Sequence, residues 1–347
     1  MAALGGAVLV TLREVAKRAG VSIKTVSRIV NDDPAVRPET RDAVQTFLKE
    51  MNYVPDQAAR LMRSGTSNIV GLMTDAVATT PYSVDIVRGA QAELKRGHKT
   101  LLIANTDGDP ELEAEYWRMF RAQKVAAVIY AAMYHRPQSM GKPDFNEPIV
   151  LANCFAKEGG HASVIPDDEA GGFTQAEYLL KRGHRRIGVI TLNPTIEASI
   201  LRGRGMRRAF GISGVSYSED LERVGYTGPL GDETLIAFNA AVSMLQSSNR
   251  PTAIICGNDK LALQVYCAAA HLGLSIPGDL SVMGFDDLTV ISECVWPKLT
   301  TVALPYFEIG RMAVEMLNIA SEEKPGWAPK VLVPCPLVER DSCRTLV

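Results

Sequence analysis

Near the start of this 347-residue chain, five side chains stand at spacings that would gather them on one face of a helix: Ile23, Lys24, Ser27, Arg28 and Asn31, at i, i+1, i+4, i+5 and i+8. Their types suit the edges of DNA bases. Lysine and arginine donate to the acceptor edge of guanine, asparagine matches adenine, and an outward isoleucine can touch a thymine methyl. Water gives no reason for an isoleucine on an outer face, which separates this set from an ordinary solvated one. Patterns that would carry catalysis are missing. Gly203-Arg204-Gly205 is too short for a dinucleotide fingerprint, and the chain has no G-x-x-x-x-G-K, no H-E-x-x-H and no nucleophile-base-acid order. The six cysteines, Cys154, Cys256, Cys267, Cys294, Cys335 and Cys343, form no C-x-x-C pair and are expected as free thiols in a reducing cytoplasm. No catalysis, cofactor or metal is expected.

Three short helices would position the base-reading face. Thr11 followed by Glu14 is a capping-box pattern that starts a helix at Leu12, with Leu12, Val15, Ala16 and Ala19 as its buried stripe. Gly20 supplies a left-handed helix end, and Ser22 caps a second helix that turns Val26, Ile29 and Val30 inward. Pro38 opens a third, carrying Val44, Phe47, Leu48 and Met51. Residues 1–65 hold ten Lys/Arg against seven Asp/Glu, a net +3, so the remainder carries -5 of the total -2. A basic module precedes an acidic body, the asymmetry expected of a nucleic-acid contact.

Beyond residue 65, apolar strand-like runs alternate with amphipathic helices: Ile69 to Met73, Val84 to Arg96, Thr100 to Ala104, Ala126 to Tyr130, Ile149 to Ala152, Ile187 to Thr191, Ala253 to Cys256 and Leu280 to Gly284. Such alternation implies parallel sheets covered by helices. Leu94-Lys95-Arg96-Gly97-His98 recurs as Leu180-Lys181-Arg182-Gly183-His184, which suggests two similar halves, each with a glycine ending a helix and a structural histidine after it. Thr80, Tyr82, Tyr130, Asn153 and Asn258 fall just after strands, where open parallel sheets bind ligands. Phe285 or Trp296 could stack on a sugar face. No run approaches the roughly 18 apolar residues of a membrane helix.

The run Thr11-Leu12-Arg13-Glu14-Val15-Ala16-Lys17-Arg18-Ala19-Gly20-Val21-Ser22, followed by Thr25-Val26-Ser27-Arg28-Ile29-Val30-Asn31, Thr40-Arg41, Asn52-Tyr53-Val54-Pro55 and Ala59-Arg60, resembles the signature of the lactose-repressor (LacI/GalR) family. The body resembles the same family's periplasmic-binding-protein-like core through Arg202-Gly203-Arg204-Gly205, Cys256-Gly257-Asn258-Asp259 and Leu280 to Asp287. The resemblance implies an α/β protein: an all-α helix-turn-helix headpiece over residues 1–55, a hinge helix and linker over 56–65, and a two-lobed effector-binding and dimerisation core over 66–347. Lobe 1 would hold about 66–166 and 297–325, and lobe 2 about 167–296 and 326–347.

By that resemblance Ile23, Lys24 and Arg28 contact bases, while Thr11, Ser22, Ser27, Asn31, Thr40 and Tyr53 hold phosphates or register, with Leu12, Thr25 and Ala59 in the same set. Met62 stands where the family wedges a leucine into the minor groove. Asp56 and Arg37 depart from the usual small polar residues there. In the cleft, Arg202 matches a ligand-holding arginine three residues before Gly205, and Asp286 matches an aspartate after Gly-Phe; a guanidinium fork and a carboxylate suit a polyol. The expected function is a cytoplasmic homodimeric repressor of a pseudo-palindromic operator, switched by a sugar or, alternatively, a nucleobase-like co-repressor. A solute-binding protein, an enzyme on the same core and an architectural DNA-binding protein are the rival readings.

Overall fold

The computed structural model describes residues 10–30, 33–53, 67–81, 83–141, 145–229, 232–323 and 326–346. The chain divides at Ser67/Asn68 into two units. In the first, α1 (Leu12–Ala19), α2 (Ile23–Val30) and α3 (Pro38–Glu50) enclose Val15, Ala16, Val26, Ile29 and Val44. Local chemistry sets each helix end. The Glu14 backbone N–H donates to the Thr11 hydroxyl at 3.3 Å, and the Glu14 carboxylate accepts from the Thr11 N–H at 2.7 Å. Gly20 adopts φ +65°, and Ser22 accepts from the Thr25 N–H at 3.1 Å. Arg37 precedes Pro38 without a side-chain cap, since a guanidinium has only donors and the helix start needs an acceptor.

The second unit contains two six-stranded sheets. Strands β1 (Ile69–Thr74), β2 (Thr100–Asn105), β3 (Ala127–Gln138), β4 (Ile149–Ala156), β5 (Ala162–Pro166) and β13 (Lys330–Val333) make lobe 1, in the order β13-β5-β4-β3-β1-β2. One face is covered by α4 (Asp85–Arg96) and α11 (Tyr306–Ala320), the other by α5 (Pro110–Ala122). Lobe 2 has β6 (Ile187–Thr191), β7 (Glu222–Val224), β10 (Ala253–Cys256), β11 (Ser281–Asp286), β12 (Thr300–Ala303) and β14 (Leu337–Val338), in the order β14-β12-β11-β10-β6-β7, with α6 (Asp168–Lys181), α7 (Glu197–Ile212), α8 (Ala237–Leu245), α9 (Asp259–His271) and the one-turn α10 (Thr289–Ser292) around it. All pairings within the two sheets are parallel except β12 with β14. The pair β8 (Tyr226–Thr227) and β9 (Thr234–Leu235) forms a separate antiparallel ribbon.

The chain passes between the lobes three times: between β5 and α6, between β12 and α11, and between β13 and β14. Two expected lobe limits are therefore corrected. Residues 297–303 belong to lobe 2, because β12 pairs with β11, and 326–333 belong to lobe 1, because β13 pairs with β5. Both segments are short and are placed by partners far along the chain. The repeated Leu-Lys-Arg-Gly-His motif is also less symmetric than its letters. Gly183 is left-handed at φ +87°, whereas after α4 the left-handed residue is His98, at φ 52°, and Gly97 keeps a negative φ. His184 is buried between the Thr252 hydroxyl (2.8 Å) and the Arg344 carbonyl (3.1 Å), and burial holds its pKa below the usual range.

Helix crossings in both lobes depend on glycines. A Cβ on Gly205 would lie 1.9 Å from the Glu169 carbonyl oxygen and one on Gly172 would lie 2.2 Å from that of Arg202, so only glycine lets α6 and α7 approach this closely. In lobe 1, Gly89 and Gly310 do the same for α4 and α11.

Candidate functional site

Two groups of predicted residues are brought together, one in each unit. On α2, Lys24 and Arg28 are exposed and Ile23 keeps 45% of its surface in solvent, while Val26 and Ile29 on the opposite side are buried. Ser27 lies half-buried on the outer side, and Arg28 pairs with Asp33 at 3.4 Å, an exposed pair that water screens and DNA can displace. Thr11 and Ser22 sit at the starts of α1 and α2, where helix N–H groups can donate to a phosphate. Leu12 packs its side chain into the three-helix core and Tyr53 packs against it too. Thr25 is half-buried, with its hydroxyl 2.9 Å from that of Ser22, and Thr40 lies in the first turn of α3. Asn31, Ala59 and Met62, with the rest of the predicted hinge at 56–65, lie outside the described residues.

The second group lines a cleft between the lobes. Its walls include His135 and Asn153 from lobe 1 and Asp168, Arg202, Asn258 and Asp286 from lobe 2. Arg202 is buried on α7 and its bonds are largely internal. Its Nε donates to Asp168 Oδ1 at 2.7 Å and its Nη1 to the Gly257 carbonyl at 2.6 Å, while the guanidinium lies 3.5 Å above the Phe285 ring centroid. Burial opposes charge on both members of the Arg202–Asp168 pair. The pairing outweighs it, raising the Arg202 pKa and, with His135, holding Asp168 below the ordinary carboxylate range.

Asp286 behaves differently. Burial pushes its pKa up to about 7, even though Arg202 stands 3.8 Å away and Lys260 also favours the ionised form. The cleft side of this carboxyl stays open, with 21% of the side chain exposed. Behind it, Asp259 accepts from the Thr301 hydroxyl and the Leu288 N–H, both at 2.7 Å; burial, then the nearby Asp286, lifts its pKa well above normal.

Asn153 and Asn258 reach the cleft with parts of their side chains already committed. Asn258 caps α9 by accepting from the Leu261 N–H at 2.9 Å and donates to the Tyr226 hydroxyl at 3.3 Å. Asn153, left-handed at φ 56°, donates to the carbonyls of Ala132 and Met133 at 2.9 and 3.1 Å. Those bonds stabilise a bulge. The β3–β4 register jumps from Ala131↔Ala152 to Arg136↔Cys154, so residues 132–135 of β3 face only Asn153. Asp75 fixes the bulge from the other side, accepting from the Met133 N–H and from Arg136, both at 2.9 Å. The bulge delivers Met133, Tyr134 and His135 to the cleft.

Three expectations for the cleft are corrected. Tyr130 is absent from it: even-numbered Val128, Tyr130 and Ala132 face α5, where the Tyr130 hydroxyl donates to Glu113 at 3.0 Å beside a separate cavity of about 720 Å³. Thr80 lies outside the lining, its hydroxyl 3.4 Å from that of Ser83. Phe285 is fully buried under Arg202 and Trp296 is 85% exposed away from the lining, so neither stacks on a ligand there. Tyr82 is outside the described residues. Sequence reasoning missed His135, Asp168, Asn193, Tyr226, Glu233 and Tyr306, which also line the cleft. Only Asp168, next to a helix-capping Asp167, carried a local signal.

Residues 11–56 match the family model of bacterial regulatory proteins, lacI family, and residues 176–343 match that of the periplasmic binding protein-like domain. The sucrose operon repressor of Escherichia coli is 33% identical over 96% of this chain and 100% of its own length. Among solved structures, a Rhizobium etli protein described as a LacI-family transcriptional regulator is 43% identical, with a TM-score of 0.74 over 80% of this chain and 99% of that one. The lac repressor dimer bound to operator and an anti-inducer is 26% identical, with a TM-score of 0.76 over 97% and 100%.

Proposed function

Because the chain belongs to the lacI family of bacterial regulatory proteins, we propose that it is a transcriptional repressor that grips a pseudo-palindromic operator as a homodimer and is switched by a sugar-class effector held between its lobes. The observation that carries the effector reading is the chemistry of the cleft. Asp168, Glu233 and Asp286 stand against Arg202 and Lys260, so the lining is close to neutral, and Asn153, Asn193 and Asn258 add amides at several heights. Such a lining suits an uncharged molecule carrying many hydroxyls. The flat faces of Tyr134, Tyr226 and Tyr306 support a nucleobase-like co-repressor as the second reading.

About 100 Å³ of space lies between the lobes, well below the roughly 300 to 1,000 Å³ of sites that enclose small molecules. An effector therefore enters as the lobes part, bending at the three crossings. It shifts the protein only by binding one lobe arrangement better than the other. Lobe 1 begins at Ile69, soon after the linker, so its angle sets how two headpieces are presented to two half-sites. The protein's work is binding, and no chemical step is assigned to it.

The test is retention of genomic DNA fragments at stated salt concentrations, followed by titration of neutral mono- and disaccharides, beginning with sucrose, and of purine bases. A recovered pseudo-palindrome whose retention changes with a sugar supports the proposal. Sequence-blind retention at every salt concentration refutes the repressor reading, and a response to purines alone moves the effector to the second reading.

A further inference from the structure

Among the described residues, the cleft lining contains one buried side-chain nitrogen or oxygen without a hydrogen-bond partner. His135 retains 4% of its surface, its Nδ1 lies 2.6 Å from Asp168 Oδ2, and its Nε2 is buried without a hydrogen-bond partner. Orphaned buried nitrogens are rare in folded proteins and call for an explanation. The ring cannot turn away. The β3 bulge is pinned by Asp75 and Asn153, the ring edge stands against Phe155 at 5.8 Å between centroids, and Nδ1 is committed across the cleft to the first residue of α6.

The hydrogen's place follows from the partners. Asp168 also accepts from Arg202 and is held ionised, so it can only accept, and Nδ1 of His135 must be the donor in their bond. In the neutral tautomer with its hydrogen on Nδ1, Nε2 presents a lone pair. We propose that His135 is a specificity-determining residue of the cleft, whose Nε2 accepts a hydrogen bond from a hydroxyl of a neutral polyhydroxylated effector. This deepens the sugar reading above and rests on it. The group that reads the hydroxyl is in lobe 1, and its other nitrogen is bonded to lobe 2, so ligand recognition and the lobe-to-lobe bond share one ring.

The two halves of the ring can be separated by substitution. His135→Asn keeps an N–H near the position of Nδ1, and so the bond to Asp168, but removes Nε2; His135→Gln restores a polar atom at the reach of Nε2. Full-length wild type and both variants are titrated calorimetrically with sucrose, glucose and fructose. For a sugar that binds wild type, His135→Asn is expected to weaken binding roughly tenfold with an unchanged thermal midpoint, and His135→Gln to recover part of the loss. Equal affinity of wild type and His135→Asn overturns the proposal while leaving the sugar reading standing. Absence of a wild-type response to these three and to the wider panel of neutral mono- and disaccharides named above overturns the sugar reading itself. A readout independent of ligand is imidazole nitrogen NMR of ¹⁵N-histidine protein, in which the signals lost in His135→Gln identify the residue among five histidines. An unprotonated Nε2 without effector supports the assignment, and a protonated one overturns it.

Discussion

Asp286→Asn tests the electrostatics of the cleft most directly. In the unfolded chain this carboxyl ionises near 3.8, whereas in the folded chain burial holds its proton up to about 7. Between those values the folded state binds a proton that the unfolded state has released, so stability falls as pH rises from about 4 to about 7 and stays low above it. At roughly 1.4 kcal/mol per tenfold change in proton affinity, the loss approaches 4 kcal/mol at pH 8, a ceiling because the carboxyl keeps 21% of its surface in the cleft and water there softens the effect. At about 2 °C per kcal/mol for a unit of this size, the ceiling is on the order of 8 °C. Asparagine has no proton to lose. Asp259 and other groups titrate in both proteins, so the informative quantity is the difference in thermal midpoint between variant and wild type at pH 5, 6, 7 and 8. The variant should gain on wild type by several degrees across that range. Parallel curves would refute the assignment. Sugar binding should move the other way: wild-type affinity rises through pH 7 as the carboxylate gains its second acceptor, and the variant stays weak and flat.

Arg28→Ala should reduce preference for operator over scrambled DNA by about 1 to 3 kcal/mol, roughly 5- to 150-fold by competition binding, with effector binding intact; retained preference removes Arg28 from base reading. Gly205→Ala pushes a methyl against the Glu169 carbonyl, 1.9 Å away, and should destabilise the core by about 1 to 3 kcal/mol in denaturant melts. Gly211→Ala on the same helix has nothing within 4 Å and should be neutral or stabilising by up to about 1 kcal/mol, so equal effects would contradict the close-approach argument. Asp168→Asn leaves Arg202 buried beside a neutral amide and should cost about 3 to 5 kcal/mol; a loss below about 1 kcal/mol would show the pair to be dispensable.

What could be read from the sequence and what could not divide along the reach of the forces involved. The headpiece was legible because its determinants are local: Thr11 reaches Glu14, Gly20 bends within its own turn, and the inward and outward faces of α2 alternate with the helical period. Arg202 and Asp286 were found through motifs, Asn153 and Asn258 through their places after strands, and all four line the cleft. Tyr130 was misplaced by strand parity: a residue at the end of a recognisable run faces a helix layer or the next lobe according to a pleat fixed by distant pairing, and β3 runs on to Gln138. The same long-range pairing hid His135. Nothing in Ala132-Met133-Tyr134-His135 announces four residues opposed by one; that arrangement needs Asp75, some sixty residues earlier, and Asn153, some twenty later.

The expected ligand clamp also changes meaning once its partners are counted. Arg202 was read as a fork held out to a sugar, yet Nε and Nη1 are occupied by Asp168 and the Gly257 carbonyl, and its face is covered by Phe285. With Nε and one Nη1 hydrogen engaged, only part of the guanidinium fork is left to meet a hydroxyl. Its larger contribution is to fix Asp168, which in turn orients His135, and to keep the carboxyl of Asp286 within 3.8 Å of a positive charge. Among the lining groups, the open side of Asp286 and the unpartnered Nε2 of His135 belong to opposite lobes. An effector that binds both must bridge the lobes, and a molecule that bridges two lobes necessarily prefers one angle between them. Selectivity for the effector and control of the lobe angle therefore come from the same pair of side chains.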